Sequence, residues 1–319
     1  MNLCPYLIRL SLIALLCGLS VSTANCDDIV LDENPLADVE QSRQARVQPL
    51  RTPWAFIAIS SHTVNPGHIR TELFREGTIW LEREVQRLYE IGFRVVLLHR
   101  PFGEPDPGDL MDYDALLQLR DTPQAGPIVR GMGKVFDRML QRHDDLHLVV
   151  YVGSMNADSI GPVFDESPDQ WLARAALAIW PVLESTSPRL HLAIDHSSAF
   201  ELDSPEYLWI QLADRMLAQR GASLWIEAFP RFAHLASFPA FGTQKAWENG
   251  VLAGRARPSR IANTLFFFDA GLPPNEWIRD VQTLGAIPAV RHNLEDPSGT
   301  TPKSLLRDLG VIPSNAAFD

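Results

Sequence analysis

The chain has 319 residues, of which 46% are hydrophobic and 21% are charged, as expected for a soluble globular protein with a sizeable core. Its formal charge of −11 at pH 7 provides no electrostatic attraction to nucleic acid, and no polybasic run is present that would bind an anionic membrane surface. The length suits one large domain, and no linker is evident in the middle of the chain.

The N-terminus has the pattern of a secretory signal peptide. Arg9 precedes an apolar stretch, Leu10–Val21, and small residues follow at Ser22–Ala24. The apolar stretch is short for a membrane span. We therefore predict cleavage near Ala24, export to the periplasm or the extracellular space, and no membrane attachment afterwards; an uncleaved anchor is the alternative. Cys26 would then be the only cysteine of the mature chain, which excludes an internal disulfide.

Six short apolar runs, each followed by a polar residue, are the main secondary-structure signal. Buried parallel strands have near-continuous hydrophobic sequences of this kind. Residues 25–52, ahead of the first run, are polar and are predicted to form a leader, with a barrel domain at residues 53–319. The runs are Trp54–Ser60, Phe93–Leu98, Leu146–Val152, Leu190–Ile194, Leu224–Ile226 and Thr264–Phe268.

Stretches with helical spacing separate these runs. In Thr78–Ile91 the residues Leu81, Val85 and Leu88 recur on one face, and Gly92 ends the predicted helix. A short sixth strand is predicted near Leu235–Phe238, and a last strand at Ala286–Arg291. The other predicted helices are Ile128–Gln141, Pro168–Glu184, Pro205–Arg220, Gln244–Val251, Glu276–Leu284 and Pro302–Leu309.

Alternation of strands and helices predicts an α/β fold with a parallel sheet. An open doubly wound sheet would usually show a Gly-rich first turn that binds a nucleotide, but the sequence from Ser60 to Gly67 has no such pattern. No phosphate-binding Gly-Lys-Ser/Thr motif occurs either. We therefore predict a single (β/α)8 TIM-type barrel, in which chemistry takes place at the C-terminal ends of the strands.

Three carboxylates, Asp195, Glu227 and Asp269, follow predicted strands. Glycoside hydrolysis needs one carboxylic acid to protonate the departing sugar oxygen and a second carboxylate as nucleophile or base. Glu227, flanked by Trp225 and Phe229, suits the acid because apolar surroundings favour the protonated form. Asp195 suits the ionised role, and Asp269 is a candidate substrate contact. Turn capping or a structural salt bridge is the alternative role for these carboxylates.

Imidazole and guanidinium side chains also follow the strands. His62, His99, Arg100, His196 and His292 are candidate substrate contacts around the mouth of the barrel. Histidine with carboxylates is also an ordinary ligand set for zinc or manganese, so metal-dependent hydrolysis on the same barrel is an alternative. The sequence contains no His-Glu-x-x-His motif, and we predict that neither a metal nor another cofactor is required.

The alternating plan, with Asp195, Glu227 and Asp269 on strands four, five and seven, resembles the glycoside-hydrolase-type (β/α)8 barrels and is similar to the alpha-amylase-like arrangement. The resemblance covers roughly residues 54–293 and implies acid/base cleavage of glycosidic bonds, with Asp195 and Glu227 catalytic. Two features depart from that arrangement. The sequence before Asp195 lacks the Arg expected two residues earlier, and no Asn-His-Asp follows the seventh strand.

These observations predict an exported hydrolase whose partner is a carbohydrate substrate; the sequence does not indicate an oligomeric state. Two other functions stay open. His99-Arg100 resembles the His-Arg opening of glycerophosphodiester phosphodiesterases, although Pro101 replaces their Gly, so a phosphodiesterase is one alternative. A non-catalytic barrel that binds glycans is the other, because fold alone does not define function.

Overall fold

The protein is described by a computed structural model. By internal contacts the chain divides into residues 1–39 and residues 40–319, and the second unit contains the barrel. The described residues are 35–58, 72–99, 125–154, 180–195, 205–227, 238–243, 264–268, 281–283, 285–291 and 303–313.

Eight strands form a closed barrel in which each strand pairs in parallel with the next in chain order, and β8 pairs with β1. The prediction of a (β/α)8 TIM-type barrel is therefore confirmed. The strands are β1 (Trp54–Ala58), β2 (Val95–His99), β3 (His147–Ser154), β4 (Leu190–Asp195), β5 (Leu224–Glu227), β6 (Ala240–Thr243), β7 (Thr264–Phe268) and β8 (Ile287–Arg291).

Most of the described helices lie where the hydrophobic spacing predicts them. The predicted helix Gln244–Val251, and residues 168–179 and 276–280 of two others, lie outside the described residues. Leu81, Val85 and Leu88 of the second helix are buried, whereas Arg83 and Arg87 on its other face are exposed. Among the residues that the structure describes, no helix is both long and apolar enough to cross a membrane. The helices are α1 (Pro35–Val47), α2 (Glu72–Ile91), α3 (Ala125–Gln141), α4 (Pro205–Gln219) and α5 (Lys303–Asp308), and residues 180–183 and 281–283 are also helical.

The sixth strand begins two residues after the end of its predicted position. Leu235–Phe238 was expected to form it, but β6 is Ala240–Thr243 and Phe238 is buried outside the strand. Pro239 cannot donate a backbone hydrogen bond, and its carbonyl accepts one from the N–H of Ile226 as the strand begins. The sequence Ala-Phe-Gly-Thr contains no continuous apolar run, so hydrophobicity alone did not mark it.

Side chains along the strands alternate between two hydrophobic cores. One set faces the helices and includes Leu98, Val150 and Leu192. The other set fills the inside of the barrel and includes Leu97 and Tyr151. We call this second set the inner core; its members are Val47, Leu50, Trp54, Phe56, Val95, Leu97, Val149, Tyr151, Ala193, Trp225, Leu265, Ile287 and Ala289.

Residues ahead of β1 close the N-terminal end of the barrel. Val47 and Leu50 belong to the inner core, and the Leu50 carbonyl accepts a 2.7 Å hydrogen bond from Trp54 Nε1. The indole of Trp54 packs edge-on against Trp225, with 4.9 Å between ring centroids. Part of the segment predicted as a leader therefore fills the barrel from below.

Two arginines of α1 attach this segment to α4. Arg43 and Arg46 both donate to the carboxylate of Asp214, at 2.9 and 3.3 Å. Arg46 also donates to the carbonyl of Ala222 at 2.9 Å, and the guanidinium of Arg43 lies 3.9 Å from the ring centroid of Phe238. Arg46 and Asp214 are buried, so this is a desolvated charge cluster rather than a surface pair.

The turn from α2 into β2 requires glycine. Gly92 has φ +126°, a conformation that side chains with a Cβ rarely adopt. A Cβ at this position would also overlap the carbonyl oxygen of Val311, which follows α5. The C-terminal segment is thus packed directly against the turn that leads into β2.

Candidate active site at the C-terminal ends of the strands

The C-terminal ends of the strands are the edge at which TIM barrels carry their chemistry. Just below this edge, the inner core supplies an apolar floor. Leu97, Ala193, Trp225 and Ala289 each lie two residues before a strand end, and all four are buried. The floor contains no charged side chain, so polar chemistry has to come from the residues at the strand ends that follow it in sequence.

Asp195 and Glu227 occupy adjacent positions at this edge. The β4–β5 ladder pairs Ala193 with Trp225 and Ile194 with Ile226, and a carboxylate is the next residue on each strand. Neighbouring strands lie about 4.8 Å apart. Asp195 and Glu227 each lie two residues beyond an inner-core residue, Ala193 and Trp225. The register thus gives the two residues predicted to be catalytic adjacent positions along the sheet.

An irregularity in β3 lies beside this pair. The β3–β4 ladder pairs Tyr151 with Ala193 but Ser154 with Asp195, so β3 contains one extra residue between these pairs. Bulges of this kind are common next to active sites, where they change the direction of the following side chains. Because of this bulge, Ser154 becomes the β3 neighbour of Asp195.

Among the other predicted site residues, His99 is the one that the structure places. It ends β2 and pairs with Ala58 of β1 and Tyr151 of β3, so it lies at the same edge of the barrel as the two carboxylates. The remaining candidates, Asp269, His62, Arg100, His196 and His292, lie outside the described residues and stay predictions.

Sequence analysis did not single out Arg291, which ends β8. It pairs with Phe56 and is in phase with the inner-core residues Ile287 and Ala289. Side chains of the predicted strand Ala286–Arg291 alternate between two faces, and following that alternation to the last residue would have identified Arg291. Arg291 adds a cationic candidate to a set of strand ends that is otherwise anionic or neutral.

Sequence analysis also missed a polar cluster in the lower part of the barrel. His147 and His191 are in phase with the inner core, and their imidazoles are joined by a 3.0 Å hydrogen bond between Nδ1 of His147 and Nε2 of His191. Burial, assisted by the nearby charge of Arg189, lowers the pKa of His147 to about 4. Burial also holds the pKa of His191 well below its usual value. Both imidazoles are therefore neutral at pH 7.

The described residues contain no group of three His, Cys, Asp or Glu side chains placed to hold a metal ion. The metal-dependent alternative rests on His62, His99, His196 and His292, of which only His99 lies within the described residues. That alternative stays a prediction.

No known protein family and no curated protein matches the sequence. Solved structures with a similar fold include a noncanonic maltogenic alpha-amylase, AmyB, from Thermotoga neapolitana, at 12% identity, covering 82% of this chain and 76% of the amylase, with a TM-score of 0.43. Dihydropteroate synthase from Xanthomonas albilineans, solved with 7,8-dihydropteroate, is similar at 15% identity, covering 82% of this chain and 92% of the synthase, with a TM-score of 0.30.

The same synthase solved with 4-aminobenzoic acid gives a TM-score of 0.31, also at 15% identity and with the same coverage. These neighbours are enzymes of different classes. At these TM-scores the similarity assigns the chain to no family and to no reaction.

Proposed function

We propose that this protein is an exported glycoside hydrolase that uses Asp195 and Glu227 as its catalytic carboxylates. The observation that carries the proposal is the β4–β5 register, which puts two carboxylates on neighbouring strands immediately beyond the Ile194–Ile226 pair, at the C-terminal edge of the barrel. Two carboxyl groups at close range are what glycosidic cleavage requires.

The roles follow from the neighbours of each residue. Glu227 comes after the buried Trp225 and Ile226, so it acts as the general acid that gives its proton to the departing sugar oxygen. Asp195, beside Ser154 in the β3–β4 ladder, acts as the ionised partner. His99 and Arg291, at the ends of β2 and β8, are our proposed contacts for sugar hydroxyl groups.

The separation of the two carboxyl groups distinguishes the two stereochemical courses. Retaining enzymes hold their carboxyl groups about 5–5.5 Å apart, whereas inverting enzymes leave about 6.5–9.5 Å for a water molecule. Asp195 and Glu227 lie on paired strands, whose backbones are about 4.8 Å apart, and we propose the shorter, retaining separation for their carboxyl groups. In this proposal Asp195 attacks the anomeric carbon, forming a glycosyl ester while the leaving sugar takes the proton of Glu227. Water then cleaves the ester with Glu227 as the base, so the anomeric configuration is retained.

The test is hydrolysis of a panel of aryl glycosides and oligosaccharides by the mature protein and its variants. Glu227→Gln and Asp195→Asn should each lower kcat by about 10²–10⁴-fold, the usual contribution of a catalytic acid or base. Glu184→Gln and Asp144→Asn, on the described exposed surface, are matched controls that should leave kcat unchanged. Unaltered turnover in the Glu227 variant would exclude its assignment as the acid.

The same panel separates the alternatives. Loss of hydrolysis on treatment with EDTA, and its return with zinc or manganese, would favour a metal-dependent hydrolase or phosphodiesterase. Glycan binding without any turnover would favour a binding barrel. Release of product with inverted configuration, followed by NMR of the anomeric proton, would exclude the nucleophilic role of Asp195.

A further inference from the structure

A chain of hydrogen bonds runs through the lower part of the barrel from β5 to β3. Trp225 Nε1 donates to Ser223 Oγ at 3.0 Å, and this oxygen lies 2.9 Å from His191 Nδ1. His191 Nε2 then lies 3.0 Å from His147 Nδ1. Ser223 and His191 are buried, at 2% and 1% exposed, whereas His147 is partly exposed. The chain therefore connects the interior of the barrel to solvent at its N-terminal end.

One backbone group determines which atom donates and which accepts in each hydrogen bond between these side chains. The N–H of Ser223 points at His191 Nδ1 at 3.0 Å and can only donate, so this nitrogen carries no proton. A neutral His191 then carries its proton on Nε2 and donates it to His147 Nδ1. A neutral His147 in turn carries its proton on Nε2, and the hydroxyl of Ser223 donates towards His191.

We propose that this chain is an acid-sensitive latch, which holds both imidazoles as neutral Nε2–H tautomers and is broken when His147 takes up a proton. The free lone pair of neutral His147 is on Nδ1, which already accepts the bond from His191. If His147 Nδ1 is protonated, its N–H points at the N–H on Nε2 of His191, and neither group can accept a hydrogen bond from the other. His191 cannot relieve this repulsion by carrying its proton on Nδ1 instead, because that nitrogen faces the fixed N–H of Ser223.

Most of the charges near His147 and His191 lower the pKa of the imidazole on which they act. Arg189, before β4, faces His147, while Arg220 and Arg46, from the end of α4 and from α1, act on His191. Asp145, two residues before His147, is the one opposing charge among the groups that shift these imidazoles. At His147, burial and the charge of Arg189 outweigh the carboxylate of Asp145, and the pKa falls to about 4.

The sign of the effect on stability follows from this shift. The usual histidine pKa is 6.5, so between pH 6.5 and 4 the unfolded chain binds protons that the native barrel does not. The free energy of unfolding therefore falls as the pH is lowered through this interval, and the native latch opens near its lower end. This behaviour does not depend on the proposed glycosidase reaction.

The direct test is long-range 15N–1H correlation NMR of the histidine-labelled mature protein, which distinguishes a protonated ring nitrogen from a bare one. At pH 7 both His147 and His191 should show a bare Nδ1 and a protonated Nε2, and His147 should change only near pH 4. An Nδ1–H tautomer in either residue would overturn the proposal. Ordinary titration of His147 near pH 6.5 in the folded protein would also overturn it.

A variant tests the link to stability. His147→Asn keeps an acceptor close to the position of Nδ1 but cannot take up a proton, so between pH 6.5 and 4 its unfolding should bind about one proton fewer than that of the wild type. His143→Gln is the control, because His143 stacks on Tyr89 outside the chain and its loss should leave both tautomers intact. Equal pH slopes for wild type and His147→Asn would overturn the latch. Should His147→Asn fail to fold, the wild-type spectra decide.

Discussion

The two ends of the barrel differ in how their polar groups are arranged. At the N-terminal end, polar side chains are joined to partners inside the fold: Trp54 to the Leu50 carbonyl, Asp214 to two arginines, and His191 to His147 and Ser223. At the C-terminal end, the strands finish with chemically capable residues, among them Asp195 and Glu227, above an apolar floor. The side chains that stabilise the barrel thus lie at the end opposite to the strand ends, where TIM barrels carry their chemistry.

The largest effect on this contrast is expected from Trp225, the floor residue that also packs against Trp54 at the N-terminal end. Trp225→Ala should lower the free energy of unfolding by about 3–5 kcal/mol, because it leaves a cavity beside Trp54 and removes the donor to Ser223. Denaturation with urea measures the change. Trp225→Phe, which keeps most of the packing, should cost only about 1 kcal/mol. If the alanine variant lost less than about 1 kcal/mol, the surrounding side chains would have moved to fill the cavity.

The buried charge cluster provides the next largest effect. Asp214→Ala should cost about 3 kcal/mol, because it removes the carboxylate that compensates the buried guanidinium of Arg46. Thermal and urea unfolding at low and high salt measure this change. Because the cluster is desolvated, the loss should depend little on salt. A loss that disappears at high salt would instead mean that water reaches the cluster.

Substitution of Gly92 tests how much the packing of the C-terminal segment against the turn from α2 into β2 contributes to stability. Gly92→Ala should cost about 2–3 kcal/mol, from the strained φ and from overlap with the Val311 carbonyl. Gly285→Ala is the matched control, since Gly285 has φ +72° and no atom within 4 Å of an added Cβ. That control should lose only about 1 kcal/mol. Equal losses in the two variants would show that packing against Val311 contributes nothing.

The smallest effect is expected for a carboxylate with the same number of arginine partners as Asp214, but with partners that are far more exposed. Glu82 of α2 accepts from Arg138 and Arg142 of the neighbouring surface at 2.6 and 3.1 Å, and both arginines are about half exposed. Glu82→Ala should therefore cost about 0.5–1 kcal/mol, and the cost should fall with added salt. If Glu82→Ala and Asp214→Ala were equally destabilising, burial would not explain the strength of the lower cluster.

Continuous apolar runs made most of the barrel predictable. β1, β2, β3, β4, β5 and β7 all lie within or beside runs that the sequence marks, because a strand buried on both faces carries few polar residues. β6 was misplaced because its sequence is short and mixed. The contribution of Val47 and Leu50 to the inner core was not predicted, since two apolar residues in a polar segment carry no recognisable period.

The site was predictable only in part. The positions of Asp195 and Glu227 after apolar runs indicated strand ends, but their adjacency depends on the register of β4 against β5, which no local pattern determines. The His147–His191 pair was missed for a related reason. Each histidine stands alone in an apolar strand, and the bond between them forms only when β3 and β4 pair.

Pairing of β8 with β1 joins segments from opposite ends of the domain, with Trp54 opposite Ala289. This contact cannot form until nearly the whole polypeptide has left the ribosome. Long-range pairing of this kind slows folding, and until it is complete the first strand has an open edge to which other chains can add. Newly made molecules should therefore stay unfolded long enough to engage chaperones, and truncation before residue 287 should yield aggregates rather than a smaller soluble domain.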